Sequence, residues 1–94
     1  MIRSFGTKDA SGIWNGFQVR RYPRELQVLA RRKLRMLNNA SQLTDLMIPP
    51  GNRLEALKGD RKGQHSIRVN DQVRIYFVWK DGDCYEVEII DYHS

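Results

Sequence analysis

The sequence predicts an α+β fold: an N-terminal strand and two helices packed on one face of a small, mainly antiparallel β-sheet, as one domain over residues 1–94. Three observations predict it. Ninety-four residues are enough for one modest core and no more. Residues 24–39 carry apolar side chains at helical spacing. Residues 65–90 alternate apolar and polar side chains in three runs separated by turn residues.

The elements follow in order. Residues 2–6 are a short strand candidate. Residues 8–17 read as a weak first helix, interrupted by Gly12 and Gly16. Pro23 falls just inside the next helix start, where its missing N–H costs nothing. Over residues 24–39, Leu26, Leu29, Ala30, Leu34 and Leu37 make one apolar face, and Arg31, Arg32, Lys33 and Arg35 crowd the rest. Residues 41–47 suit a short helical turn. Residues 48–52, with Pro49, Pro50 and Gly51, read as a loop. Residues 58–63 form a second loop, bracketed by Gly59 and Gly63.

Three strands complete the chain. His65, Ile67 and Val69 alternate with Ser66 and Arg68. Val73, Ile75, Phe77 and Trp79 alternate with Arg74, Tyr76 and Val78. Tyr85, Val87 and Ile89 alternate with Glu86, Glu88 and Ile90. The turns are Asn70-Asp71 and Asp81-Gly82-Asp83. A two-residue loop at Asp81-Gly82 sets Phe77 opposite Glu86. A three-residue loop over 81–83 with a bulge pairs Ile75 with Ile89 and Phe77 with Val87. The second register is favoured, because a one-residue slip buries Glu86 and Glu88. The same parity pairs Ile67 with Ile75 across a bulged turn near Asn70. Ser66, Arg68, Arg74, Tyr76 and Tyr92 then share the face that the helices leave open. Guanidinium planes and aromatic rings on an open face are the groups that neutralise phosphates and stack on unpaired bases.

Charge is uneven along the chain. The net charge is +5, but residues 1–41 carry nine basic and two acidic side chains, and residues 42–94 carry seven and nine. A basic half points to a polyanion or an acidic protein partner. The single cysteine, Cys84, excludes an intramolecular disulfide and a cysteine-based zinc cluster, and fits a reducing compartment. No apolar run is long enough to span a membrane, and Met1-Ile2-Arg3-Ser4-Phe5 is not a signal sequence, so a cytoplasmic protein is expected. Two histidines are too few for a metal site without carboxylate help, and no metal or cofactor is expected. His65 has the apolar parity and reads as a histidine at the core edge. Lys58-Gly59-Asp60-Arg61-Lys62-Gly63 lacks the spacing and ending of a P-loop, which argues against a nucleotidase.

The segments Leu57-Lys58-Gly59-Asp60-Arg61, Gln64 to Val69, Gln72 to Phe77 and Asp91-Tyr92-His93 resemble the signature of the HigB branch of the RelE-type bacterial toxins. The resemblance is close over about residues 45–93 and loose before them. It implies a ribosome-dependent mRNA endoribonuclease that cuts messenger in the ribosomal A site. In that chemistry the substrate's 2′-hydroxyl is the nucleophile and no metal is required. It also implies partners: mRNA, the 70S ribosome with its rRNA, and a HigA-like helix-turn-helix antitoxin that neutralises the toxin. On the matching positions the catalytic roles fall to Lys58, Arg74, Asp91, Tyr92 and His93. Some members carry a histidine three residues before the loop lysine; here that position is Glu55, whose carboxylate is a possible general base.

Each of these residues also has a plainer reading. His93 titrates near neutral pH, which suits acid or base work, but it lies one residue from the end. Tyr92 stacks on a base or donates a proton, or merely packs on the sheet. Asp91 orients His93 or acts as a base, or is a solvated strand end. Lys58 holds phosphate charge in the transition state, or is an exposed lysine. Arg74 binds phosphate, or pairs with Glu88 across the strands. Arg68 beside it favours the phosphate role, and Arg61 and Tyr76 are further RNA-contact candidates. Arg31, Arg32 and Arg35 are a solvated helix face, or contact ribosomal RNA. Two rival functions stand beside the toxin reading: a non-catalytic nucleic-acid-binding module, and a protein-interaction module that docks through Asp81, Asp83, Glu86 and Glu88.

Overall fold

The computed structural model describes residues 1–91, and the expectations for Tyr92 and His93 lie outside the described residues. Helices α1 (Lys8–Trp14) and α2 (Arg24–Asn39) cover one face of a four-stranded antiparallel sheet, β1 (Glu55–Ala56), β2 (Gln64–Arg68), β3 (Val73–Lys80) and β4 (Asp83–Asp91), whose order follows the chain. Single-turn 3-10 helices occupy Leu43–Met47, Pro50–Asn52 and Gly59–Arg61, inside segments expected to be turns or loops.

Each helix start has a local cause. Thr7 caps α1, its Oγ1 accepting from the Ala10 N–H. Pro23 takes the cap position of α2, immediately before the first helical residue. The buried face of α2 is Leu26, Gln27, Ala30, Leu34 and Leu37, at the expected period. Leu29 departs from expectation and is exposed, while Gln27 is buried. The Gln27 amide explains this: it donates to the Val19 and Tyr22 carbonyls and accepts from the Val19 N–H, so it fastens the interhelical loop. The core joins these residues to Ile13 and Tyr22 and to Ile67, Val73, Ile75, Phe77, Val87 and Ile89 from the sheet.

The N-terminal segment runs parallel to β4 rather than forming a full strand. Ile2 bridges Cys84 and Phe5 bridges Val87, with Arg3 N–H to the Cys84 carbonyl and Gly6 N–H to the Val87 carbonyl both at 2.8 Å. Gly6 is required by close approach, since a Cβ there would lie 2.7 Å from Glu88 Cγ.

The register expectations hold at their centre and fail at one turn. Ile67 pairs with Ile75, and Ile75 with Ile89. The β2–β3 turn is a three-residue loop in which the Asn70 side chain accepts from the Gln72 and Val73 N–H groups. The β3–β4 turn, however, is the two-residue Asp81-Gly82 hairpin, with φ of 51° and 83°. The extra residue sits inside β4 at Glu86, whose φ is 53°. There the register shifts between Tyr76 and Val78, a β-bulge whose Glu86 N–H is taken by Ser4 Oγ. The bulge switches parity, so Cys84, not Tyr85, joins Val87 and Ile89 in the core, and Glu86 stays exposed. A strand absent from the sequence reading, β1, pairs Glu55 with Ser66 at the sheet edge.

Candidate nucleic-acid interface

Strand pairing builds the open face row by row. One row reads Glu55, Ser66, Tyr76, Glu88; the next reads Arg68, Arg74, Ile90. Two arginines directly opposed on an antiparallel pair repel each other. The fold offsets this by giving each its own acceptors. Arg74 Nε donates to Ser66 Oγ at 2.9 Å and Arg74 Nη2 to the Arg53 carbonyl at 2.7 Å. Arg68 pairs with Asp71. The expected Arg74–Glu88 pair does not form: Glu88 is taken by Arg61, and the carboxylate nearest Arg74 is Glu55, 3.9 Å away.

The result is a groove of about 470 Å³ lined by Gly51, Arg53, Glu55, Arg68, Asp71 and Arg74. The Arg74 side chain is only 12% exposed, whereas Glu55 is 60% exposed, so a held guanidinium faces a solvated carboxylate. Among the described residues, two of Arg74's three partners are neutral, which leaves its positive charge available to an anion. The surroundings add to the field. The Lys33 ammonium, which donates to the buried Asn52 at 2.6 Å, is held below the usual lysine range by burial first and by the Arg68 charge second.

Arg61 is engaged within the chain. Its Nη1 donates to Glu88 at 2.6 Å and to Gln64 at 3.0 Å, and its guanidinium lies 4.7 Å from the Tyr76 ring centre. It latches the segment bearing Lys58 onto the sheet and covers Tyr76. Lys58 itself is exposed, its carbonyl accepting from the Arg61 N–H.

Of the predicted site residues among those described, Glu55, Arg68 and Arg74 line this groove; Lys58, Arg61 and Tyr76 are not in its lining, and further predicted residues lie elsewhere. Asp91 pairs with Val73 and has the parity of the helix-covered face. There its charge, with that of Asp9, adds to the burial that chiefly raises the Tyr22 phenol, against a lowering by Arg21. Arg31, Arg32 and Arg35 belong to the helical layer, and Arg31 Nε donates to the Ile13 carbonyl at 3.1 Å. Asp83 and Glu88, two of the acids in the protein-docking reading, are paired within the chain, Asp83 to the N-terminus and Arg3 and Glu88 to Arg61. His65 stacks on Phe77, as expected of a core-edge residue. Arg53 was missed; its only signal in sequence is a cation two residues before Glu55, and its place in the groove depends on a positive φ of 45°.

A small α+β domain with helices on one sheet face and an arginine-lined groove on the other is the class these features define. A model of the RelE-like toxin HigB of type II toxin–antitoxin systems matches residues 15–93, and the chain belongs to this HigB-like toxin family. Toxin HigB-1 of Vibrio cholerae is 50% identical over 60 residues, a match taking in 64% of this chain and 63% of that toxin's length. An uncharacterized protein of Haemophilus influenzae is 33% identical over 72 residues, 77% of this chain and 70% of that one. Two crystal structures of Escherichia coli YafQ, one of a point mutant, superpose with TM-scores of 0.70 and 0.61, each at 13% identity over 99% of this chain and 93% of theirs. Those two share the fold. Among the described residues no helix is long and apolar enough to cross a membrane.

Proposed function

We propose that this chain is a type II toxin acting as a ribosome-dependent mRNA endoribonuclease, and that the Arg53–Arg68–Arg74 groove receives the scissile phosphate. The observation that carries the reading is the pre-set Arg74 guanidinium, held by Ser66 and the Arg53 carbonyl beside the exposed Glu55 carboxylate. Donors fixed before the reaction stabilise charge that develops on a phosphorane without reorganising.

In this mechanism Glu55 takes the proton of the 2′-hydroxyl, and the alkoxide attacks the adjacent phosphorus. The bond from phosphorus to the 5′-oxygen breaks. The products are a 2′,3′-cyclic phosphate and a 5′-hydroxyl, with an acid returning one proton to the leaving oxygen. Arg74 and Arg68 neutralise the equatorial oxygens. Lys58 adds charge from its loop. The family resemblance puts Asp91, Tyr92 and His93 among the residues of this chemistry, with His93 the candidate for acid or base work. Partners under this reading are translated mRNA in the ribosomal A site and a helix-turn-helix antitoxin.

The test is primer extension on an abundant messenger after brief induction of wild type, Arg74→Ala, Glu55→Gln and His93→Ala. New 5′ ends at fixed codon positions, lost with Arg74→Ala and depleted with Glu55→Gln or His93→Ala, are expected. RNA binding without new ends from the wild type would instead identify a non-catalytic binding module.

A further inference from the structure

On the helical layer, away from the open sheet face, α2 carries a basic stripe: Arg24, Val28, Arg31 and Arg35, at i, i+4, i+7 and i+11. The stripe borders a groove of about 360 Å³ whose walls include Ile13, Gly16, Phe17, Gln27 and Arg32. Phe17 is 69% exposed and Val28 50% exposed, large apolar surfaces left in water beside four arginines. A second concavity of about 450 Å³, lined by Trp14, Asn15, Gly16, Arg31 and Arg35, continues the groove past Arg31. Among the described residues no acidic side chain lines either one.

We propose that this groove docks an acidic amphipathic segment of a protein partner, seated along α2 with apolar side chains on Phe17 and Val28 and carboxylates on the flanking arginines. The stripe from Arg24 to Arg35 spans about 16 Å, the length of roughly three helical turns. An apolar centre rimmed by arginine is the anatomy of a protein interface, and helix-in-groove recognition reads i, i+4, i+7 anchors. Nucleic acid fits less well. Ile13 and Val28 present no hydrogen-bonding atoms to base edges, and the Gln27 amide is engaged with Val19 and Tyr22. Arg31 is tied to the Ile13 carbonyl and lies over Gly16, where a Cβ would meet its Nη2 at 2.7 Å. Its guanidinium is therefore oriented in advance to donate to an oxyanion, and the apolar surface of Phe17 and Val28 beside it favours a peptide carboxylate over a phosphate. The antitoxin is the partner that the functional reading supplies; the groove itself is inferred independently of any cleavage activity.

The test is selection of a phage-displayed random 16-residue library on the full-length chain. Winning peptides are then titrated against wild type, Arg24→Glu/Arg35→Glu, Phe17→Ser and the opposite-face control Arg68→Ala. The expected peptides are rich in Asp and Glu with apolar residues three or four apart. Their Kd rises at least tenfold in the double variant and in Phe17→Ser, and changes less than twofold in Arg68→Ala. All substituted groove positions are exposed, and thermal melts check that each variant folds. Peptides without acidic bias, or binding that survives the groove substitutions, would overturn the proposal. So would a tenfold loss of single-stranded RNA binding in the double variant, which would hand the groove to nucleic acid. Messenger cleavage is not read in this experiment, so failure of the nuclease reading and failure of this one are separate results.

Discussion

Arg74 is held by the backbone of Arg53: its Nη2 donates to the Arg53 carbonyl at 2.7 Å, and that carbonyl is aimed by a left-handed φ of 45°. A carbonyl fixed by backbone conformation is a more rigid acceptor than a side chain, so Arg53 serves the groove twice, through its main chain and through its guanidinium.

The two contributions separate by mutation. Arg53→Gly keeps the positive φ at no steric cost and removes only the cation. The plot of log Kd against log salt for single-stranded RNA is expected to lose about 0.7 of a slope unit, the amount for one phosphate contact to a single strand. Folding stability should hold or rise slightly. An unchanged salt slope would remove the Arg53 side chain from the interface.

Ser66 is fully buried and its Oγ is the acceptor for Arg74 Nε. Ser66→Ala leaves the Arg74 Nε donor without this acceptor in a largely buried site, which costs about 1–3 kcal/mol in urea unfolding. Cleavage is expected to fall about tenfold through loss of orientation, against about 10²–10³-fold for Arg74→Ala. Arg74→Lys should not rescue, because an ammonium cannot donate to Ser66 and the Arg53 carbonyl in the same planar geometry. Equal activity for Ser66→Ala and wild type would show that Arg74 needs no such support.

Much of this fold was legible because periodicity reports burial. Helix α2 matches its expected span, and the parity argument found the Ile75–Ile89 pairing without a structure. What parity could not locate was where the compensating residue sits. A bulge at Asp83 and one at Glu86 restore the same pairing further along, and the bulge at Glu86 is supported from 82 residues away by Ser4, whose Oγ takes its N–H. The open-face arginines were legible for the same reason as the core. Their partners were not. Arg74 finds Arg53 and Ser66 rather than Glu88, because the Arg61 loop folds back over Tyr76 and reaches Glu88 first. That is a tertiary contact between residues 27 apart, invisible to local pattern.

Cys84 was expected to mark a reducing compartment, and its position adds a pH dependence. The thiol is fully buried, with Sγ 3.8 Å from the Leu37 carbonyl, and burial pushes it up to about 11 from 9.0. The fold therefore favours the neutral thiol. That stability is fully present below pH 9.0 and is lost as pH rises toward 11. Between those limits the wild type should lose about 1.4 kcal/mol per pH unit relative to Cys84→Ala, measured by urea unfolding. Thiol reagents at pH 8 should label the chain only after denaturant is added.

The Arg61–Glu88 contact is a link between the Lys58 loop and the sheet, and it is measurable as a coupling. The bond is 2.6 Å between side chains 35% and 19% exposed, so screening by water is incomplete, and Tyr76 adds a ring face beneath the guanidinium. A double-mutant cycle with Arg61→Ala and Glu88→Gln is expected to give a coupling of about 1 kcal/mol, at the upper end of what exposed pairs give. If the latch also sets the place of Lys58, Arg61→Ala lowers cleavage while Lys58→Ala in that background lowers it little further. The backbone amides of residues 59–63 should then exchange faster with solvent in Arg61→Ala, with those of β3 unchanged. Strict additivity of Arg61→Ala and Lys58→Ala on cleavage, with no change in loop exchange, would make Arg61 a direct RNA contact instead of a positioning residue.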